Sequence, residues 1–178
     1  MPGKLPLFLG RDYFQNAWVV DDLQAAMRRW TETCGIGPFF LLEHVAMQDV
    51  TYRGQPATID CSIALAQAGR TQIELIEQHC DQPSVYRDLV PRGQTRFHHV
   101  ATFANDYDRE LAEYRARGLR VTTTGRFGEM RFAYIDATPE IDCVIELLEE
   151  NQPLREHFAH IAAAAVDWDG RDPVRPAF

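Results

Sequence analysis

The chain has 178 residues, 46% of them hydrophobic and 25% charged, enough apolar material for one well-packed core. Its formal net charge of −8 argues against a nucleic-acid partner gripped through phosphates and against an anionic membrane surface. Four widely spaced cysteines without a CxxC pair read as reduced thiols.

The opening "MPGKLPLFLG" has a short apolar patch interrupted by Pro2, Gly3 and Pro6. It is expected not to be a signal peptide, and the expected location is cytoplasmic. In "FQNAWVVDDLQAAMRRW" (14–30) a strand over Phe14–Val20 gives way to a helix. Asp21 or Asp22 is its N-cap; Leu23, Met27, Trp30 and Cys34 fall at helical spacing, and Gly35, Gly37 and Pro38 stop it. Three strand-like segments follow: "FFLLEHVAMQDVTYRG", "ATIDCSIALAQ" and "RTQIELIEQ", with Gly54 and Gly69 at hairpin turns. The polar connector 79–96 contains a short helix near Ser84–Val90.

The pattern then repeats. "FHHVATFANDYDRELAEYRARG" (97–118) is again a strand followed by a helix, starting near Asn105 or Asp106 and stopped by Gly118. "LRVTTTGRFG", "EMRFAYIDAT" and "IDCVIELLEE" supply three further strands, with Pro139 at a turn. Both halves close on I-E-L-[IL]-E, at 73–77 and 145–149. An internal repeat of this kind defines architecture better than any single motif. The fold class expected is α+β: two tandem βαβββ modules forming a curved, half-closed mixed sheet. Module one spans 12–78, the linker 79–96 and module two 97–150, making one domain over 12–150. The tail 151–178 is expected to be an amphipathic helix through Leu154, Phe158, Ile161 and Ala165, ending near Gly170 and serving structure or a dimer contact.

Two modules set edge to edge form a sheet that cups one cavity, with the first and last strands of each module lining it. The inward polar positions are then Gln15 and Glu74, and His99 and Glu146. Gln15 and His99 are related by 84 residues, Glu74 and Glu146 by 72. Alternation also allows both glutamates to face solvent, with Ile73, Leu75, Ile145 and Leu147 as the core face; the register with Gln15 and His99 favours the cup. His98 is expected to point to the opposite face. His44, His79, His157 and His160 have no partners at ligand spacing. Phe39, Phe40, Phe132 and Tyr134 are aromatic candidates for the cup.

"FHHVATF", "IELIEQ" and "QPSVYRDLVPRG" resemble segments of methylmalonyl-CoA epimerases, and over about residues 12–150 the chain resembles the vicinal oxygen chelate superfamily. The resemblance carries four metal positions onto Gln15, Glu74, His99 and Glu146. Epimerases of this kind usually have His, Gln, His and Glu there; Gln, Glu, His, Glu is the set of the animal-type lactoylglutathione lyase. Extradiol dioxygenases need two His and a Glu on iron, so that chemistry is not expected. The ligand set suits Zn, Co, Ni, Mn or Mg. The resemblance implies a metal-dependent isomerase, epimerase or lyase that abstracts a proton α to a polarised carbonyl, with Glu146 as base and Glu43 as an opposed partner. A small-molecule substrate is implied, an acyl-CoA among the candidates. Arg53, Arg87, Arg92, Arg96, Arg126 and Arg131 are available to such a substrate, and a homodimer is expected. The alternative is a non-catalytic protein that holds a drug or metabolite in the same cavity.

Overall fold

The described residues of this computed structural model are 13–177, so the reading of the opening segment lies outside them. The first module contributes β1 (Gln15–Val19), α1 (Leu23–Cys34), β2 (Phe39–Leu42), β3 (Gln48–Tyr52), β4 (Gln55–Pro56), β5 (Cys61–Ala68) and β6 (Thr71–Gln78). After α2 (Val85–Leu89), the second contributes β7 (Arg96–Ala104), α3 (Tyr107–Ala116), β8 (Arg120–Phe127), β9 (Met130–Asp136), α4 (Thr138–Ile141) and β10 (Val144–Glu149). The tail forms α5 (Gln152–Ala165) and β11 (Val174–Pro176).

The helices start where their caps dictate. Asp22 accepts from the Ala25 backbone N–H at 2.8 Å, and Asp106 does the same for Arg109 at 3.2 Å. Removing either cap is worth about 1 kcal/mol. Gly35, in the left-handed region at φ 66°, ends α1.

The strands form one mixed sheet in the order β11-β2-β5-β6-β1-β7-β10-β9-β8-β3-β4. β1 runs parallel to β6, β7 runs parallel to β10, and β1 and β7 meet antiparallel. The repeat seen in the sequence therefore appears as a local two-fold relation about the β1–β7 seam. The curved, unclosed α+β sheet expected from the sequence is present.

Both faces of the central strands are buried, so their sequences are nearly continuous apolar runs. On the convex face, Ile73 and Leu75 pack with Ala26 and Met27 of α1. Ile145 and Leu147 pack with Leu111 and Tyr114 of α3. Each such aliphatic side chain contributes roughly 1.5–3 kcal/mol of burial. The alternate residues of the same strands face the concavity.

Three features depart from the sequence reading. The segment 39–54 is two strands: β2 pairs with β5, whereas β3 leaves the module and pairs with β8 at the far edge of the sheet. His44 and Asp49, at φ 47° and 51°, turn the chain across that gap. Pro139 opens the short helix α4 instead of a hairpin turn. The tail helix ends at Ala165, and Val174–Pro176 adds a parallel edge strand to β2, covering backbone that would otherwise be unpaired. Among the described residues, no helix is long and apolar enough to cross a membrane.

Candidate metal centre

Four adjacent central strands each bring one polar side chain to the floor of the concavity: Glu74 from β6, Gln15 from β1, His99 from β7 and Glu146 from β10. All four are buried; Glu74 and Glu146 retain 7% exposure and His99 none. His99 Nε2 lies 3.1 Å from Glu74 Oε2 and 3.4 Å from Glu146 Oε2. Potential ligand atoms of these three residues all fall within 4.8 Å of one another. The distances are short, yet among the described residues neither His99 Nε2 nor Glu74 Oε2 has an aligned hydrogen-bond partner.

Gln15 completes the set. Its Nε2 donates to Gln72 Oε1 at 2.7 Å, which fixes which end of the amide faces inward. Its Oε1 is buried without a hydrogen-bond partner among the described residues. An orphaned buried carbonyl costs about 1–3 kcal/mol. Two carboxylates, one imidazole nitrogen and one amide oxygen fit a divalent cation.

The electrostatics point the same way. Burial raises the Glu74 carboxyl pKa, and the Glu146 charge adds to it, against the opposing pull of His99. Burial lowers the His99 pKa, but hydrogen-bond-range contacts with Glu146 and Glu74 outweigh it and take the group to about 9. Two ionised carboxylates beside one imidazolium would leave a net negative charge in a low-dielectric site. A divalent cation with neutral His99 balances it.

His98 does not point to the opposite face. In the β1–β7 ladder Ala17 pairs with His99 and Trp18 with Phe97, so His98 is the extra residue of a β-bulge. The bulge turns both rings toward Tyr134, with ring centroids at 6.3 Å for His98 and 5.2 Å for His99. His98 Nδ1 lies 2.9 Å from His99 Nδ1, and His98 Nε2 lies 3.0 Å from the Val85 carbonyl oxygen. Burial, and then the neighbouring His99, push the His98 pKa down to about 3, so it stays neutral.

Above this floor is a cavity of about 100 Å³. Val45, Met47, Phe127 and Phe132 wall it, and Leu154, His157 and Phe158 of α5 cover it. The tail helix is therefore part of the cavity, which its amphipathic pattern alone did not reveal. Phe158 joins Phe14 and Phe103, the latter pair stacked at 4.2 Å. Tyr86 and Tyr134 also line the space, their hydroxyls 3.0 Å apart, and burial holds both phenols protonated. The Tyr86 contribution was hidden in the connector; only its place between Ser84 and the double histidine hinted at it.

Of the aromatic candidates, Phe132 and Tyr134 line the cavity, whereas Phe39 packs under α1 and Phe40 against Ile161 of α5. Glu43 is exposed just after β2, and the neighbouring residues that line the cavity are Leu42, Val45 and Met47. Among the arginines, Arg53 pairs with Asp88, Arg92 with Asp81, Arg126 with Asp49, and Arg131 with Glu149 and Asp108. Arg87 donates to the Gln78 carbonyl. His44 and His79, which have no partners at ligand spacing in the sequence, meet with Asp60 beyond the ends of β2 and β6.

Residues 14–134 match the family described as the glyoxalase/bleomycin resistance protein/dioxygenase superfamily. Among solved structures, methylmalonyl-CoA epimerase from Mycobacterium tuberculosis aligns with a TM-score of 0.55 at 18% identity, over 84% of this chain and 93% of that one. A hypothetical protein from Bacillus halodurans C-125 aligns with a TM-score of 0.56 at 16% identity, over 79% and 95%. A Streptomyces coelicolor methylmalonyl-CoA epimerase variant in complex with 2-nitronate-propionyl-CoA aligns at 0.52 and 17% identity, over 78% and 94%. At these identities the likeness is one of fold. No curated protein sequence matches at a significant level.

Proposed function

This chain belongs to the glyoxalase/bleomycin resistance protein/dioxygenase superfamily, and we propose that within it the protein is a metal-dependent isomerase or lyase that moves a proton at a carbon next to a carbonyl. The observation that carries this reading is the buried cluster of Glu74, His99 and Glu146, whose His99 Nε2 and Glu74 Oε2 lack aligned partners among the described residues, together with the orphaned Gln15 Oε1 on the same cavity floor. A divalent cation held by Gln15, Glu74, His99 and Glu146 would supply the Lewis acidity that makes the α-proton removable near neutral pH.

The remaining work falls to the chain's own groups. Glu146 is the proton acceptor, the role that the family resemblance gives it, and it lines the cavity as Glu74 does. The proton that it takes returns to the same carbon or to its neighbour. The Tyr86 and Tyr134 hydroxyls are protonated and share one hydrogen bond on the same cavity surface, so one donates to the other and the second is free to donate to an oxygen that gains charge. The apolar wall and α5 keep bulk water away from the exchanging proton. Glu43, exposed beside the cavity wall, is not placed as a second base, so a one-base transfer is favoured over epimerisation by two opposed bases.

The substrate proposed is a small α-protic carbonyl compound whose reacting end fits about 100 Å³. Solved neighbours include a methylmalonyl-CoA epimerase in complex with methylmalonyl-CoA, so acyl-CoA thioesters belong in the assay beside hemithioacetals and small free keto acids. The test is solvent-deuterium incorporation across that panel with metal-loaded protein. Incorporation should occur in the wild type and fall by at least a hundredfold in Glu146→Gln; equal incorporation by both proteins rejects the assignment of the base.

A further inference from the structure

We propose a second, peripheral site for a borderline divalent cation (zinc, nickel or copper) formed by His44, Asp60 and His79. The ligand atoms of these three residues lie within 4.8 Å of one another although the two histidines are 35 residues apart in the sequence. They sit on three separate segments, one after β2, one before β5 and one after β6. His44 Nδ1 is 2.7 Å from Asp60 Oδ1, and the two imidazole rings lie tilted by 37° with 4.7 Å between centroids. Glu77 Oε1, 3.5 Å from His79 Nδ1, is a nearby fourth donor atom.

Two imidazoles and a carboxylate select a borderline transition cation over magnesium or calcium, which prefer oxygen alone. Tetrahedral zinc spaces its ligand atoms by about 3.4 Å, given bonds near 2.0–2.1 Å. His44 and Asp60 are 67% and 46% exposed, so their side chains can rotate to close that gap without disturbing the core.

The surroundings already hold the ligands. Ser62 Oγ accepts from the His44 backbone N–H at 3.0 Å and lies 2.8 Å from His79 Nε2. The adjacent Val45 N–H donates to the Cys61 carbonyl at 2.8 Å. An ion here would clip the β2–β3 crossover, whose Val45 and Met47 wall the deep cavity, onto the ends of β5 and β6. The site thus couples an external cation to the stiffness of the cavity wall, independently of what the deep centre binds.

The test is zinc titration of the whole chain by equilibrium dialysis, with hydrogen exchange read over residues 43–47. Wild type should bind one more ion than His44→Ala/His79→Ala, and zinc should slow exchange over 43–47 at least fivefold in wild type alone. Asp60→Asn, which keeps the size of the side chain, should weaken that ion at least tenfold. If the deep centre takes no metal, wild type still binds one ion and the histidine variant none. Equal zinc uptake by wild type and the double histidine variant overturns the proposal.

Discussion

The side chain of His98 determines which nitrogen of His99 keeps its lone pair. The Val85 carbonyl can only accept, so His98 Nε2, 3.0 Å from it, carries the proton and donates. His98 Nδ1 is then a bare acceptor, and His99 Nδ1, 2.9 Å away, must donate to it. In neutral His99 the lone pair is thereby left on Nε2, the atom facing Glu74 and Glu146. His98 is a positioning residue that prepares His99 as a ligand.

Replacing His98 tests this relay. His98→Phe keeps an aromatic ring of similar breadth but cannot accept, and metal affinity should fall ten- to a hundredfold. His98→Asn offers an acceptor and should recover part of it. Isothermal titration of both variants gives the comparison, and unchanged affinity in His98→Phe removes the relay from the account.

The pH dependence follows from His99. Its pKa rises from 6.5 unfolded to about 9 folded, so it stabilises the metal-free protein fully below about pH 6.5 and loses that contribution as pH climbs through 9. Metal binding displaces the same proton, so affinity should grow with pH up to about 9 and then level. Thermal melts from pH 6 to 10 should therefore show metal-free protein losing stability while metal-loaded protein does not. Parallel curves for the two forms contradict this linkage.

Gly125 offers a control on cavity shape. A Cβ added there would sit 2.6 Å from Phe132 Cζ and 3.2 Å from Val50 Cγ2. Because Phe132 walls the cavity, Gly125→Ala should push its ring inward, costing about 1–3 kcal/mol of stability. KM should rise more than kcat falls, since the deep ligands are untouched. Denaturant melts and steady-state kinetics on the same preparation check both effects.

Much of the fold was legible because it repeats. The two I-E-L-[IL]-E strands showed their period of two, and Ile73, Leu75, Ile145 and Leu147 form the helix-covered face. Their burial on both faces is what brings Glu74 and Glu146 inside. The β-bulge at His98 was not legible, since one extra residue in a ladder leaves no mark in composition or period. The partnership of β3 with β8 depends on a crossing between distant edges of the sheet, set by turns at His44 and Asp49. The sequence reading that His44 and His79 have no partners at ligand spacing fails for the same reason: spacing along the chain says nothing about strand ends that the topology gathers. Glu43 sat one residue from the wall-lining Leu42, and the left-handed turn at His44 separates it from Val45.

The measurement closest to the central claim is the metal content of the deep centre, by elemental analysis after zinc loading and dialysis. Both proteins compared carry His44→Ala and His79→Ala, so that the outer cluster contributes nothing. The parent should retain about one ion per chain, and the same chain with Glu74→Ala and His99→Ala should retain none. An ion kept by the quadruple variant, or none held by its parent, contradicts the assignment of Gln15, Glu74, His99 and Glu146 as a metal centre.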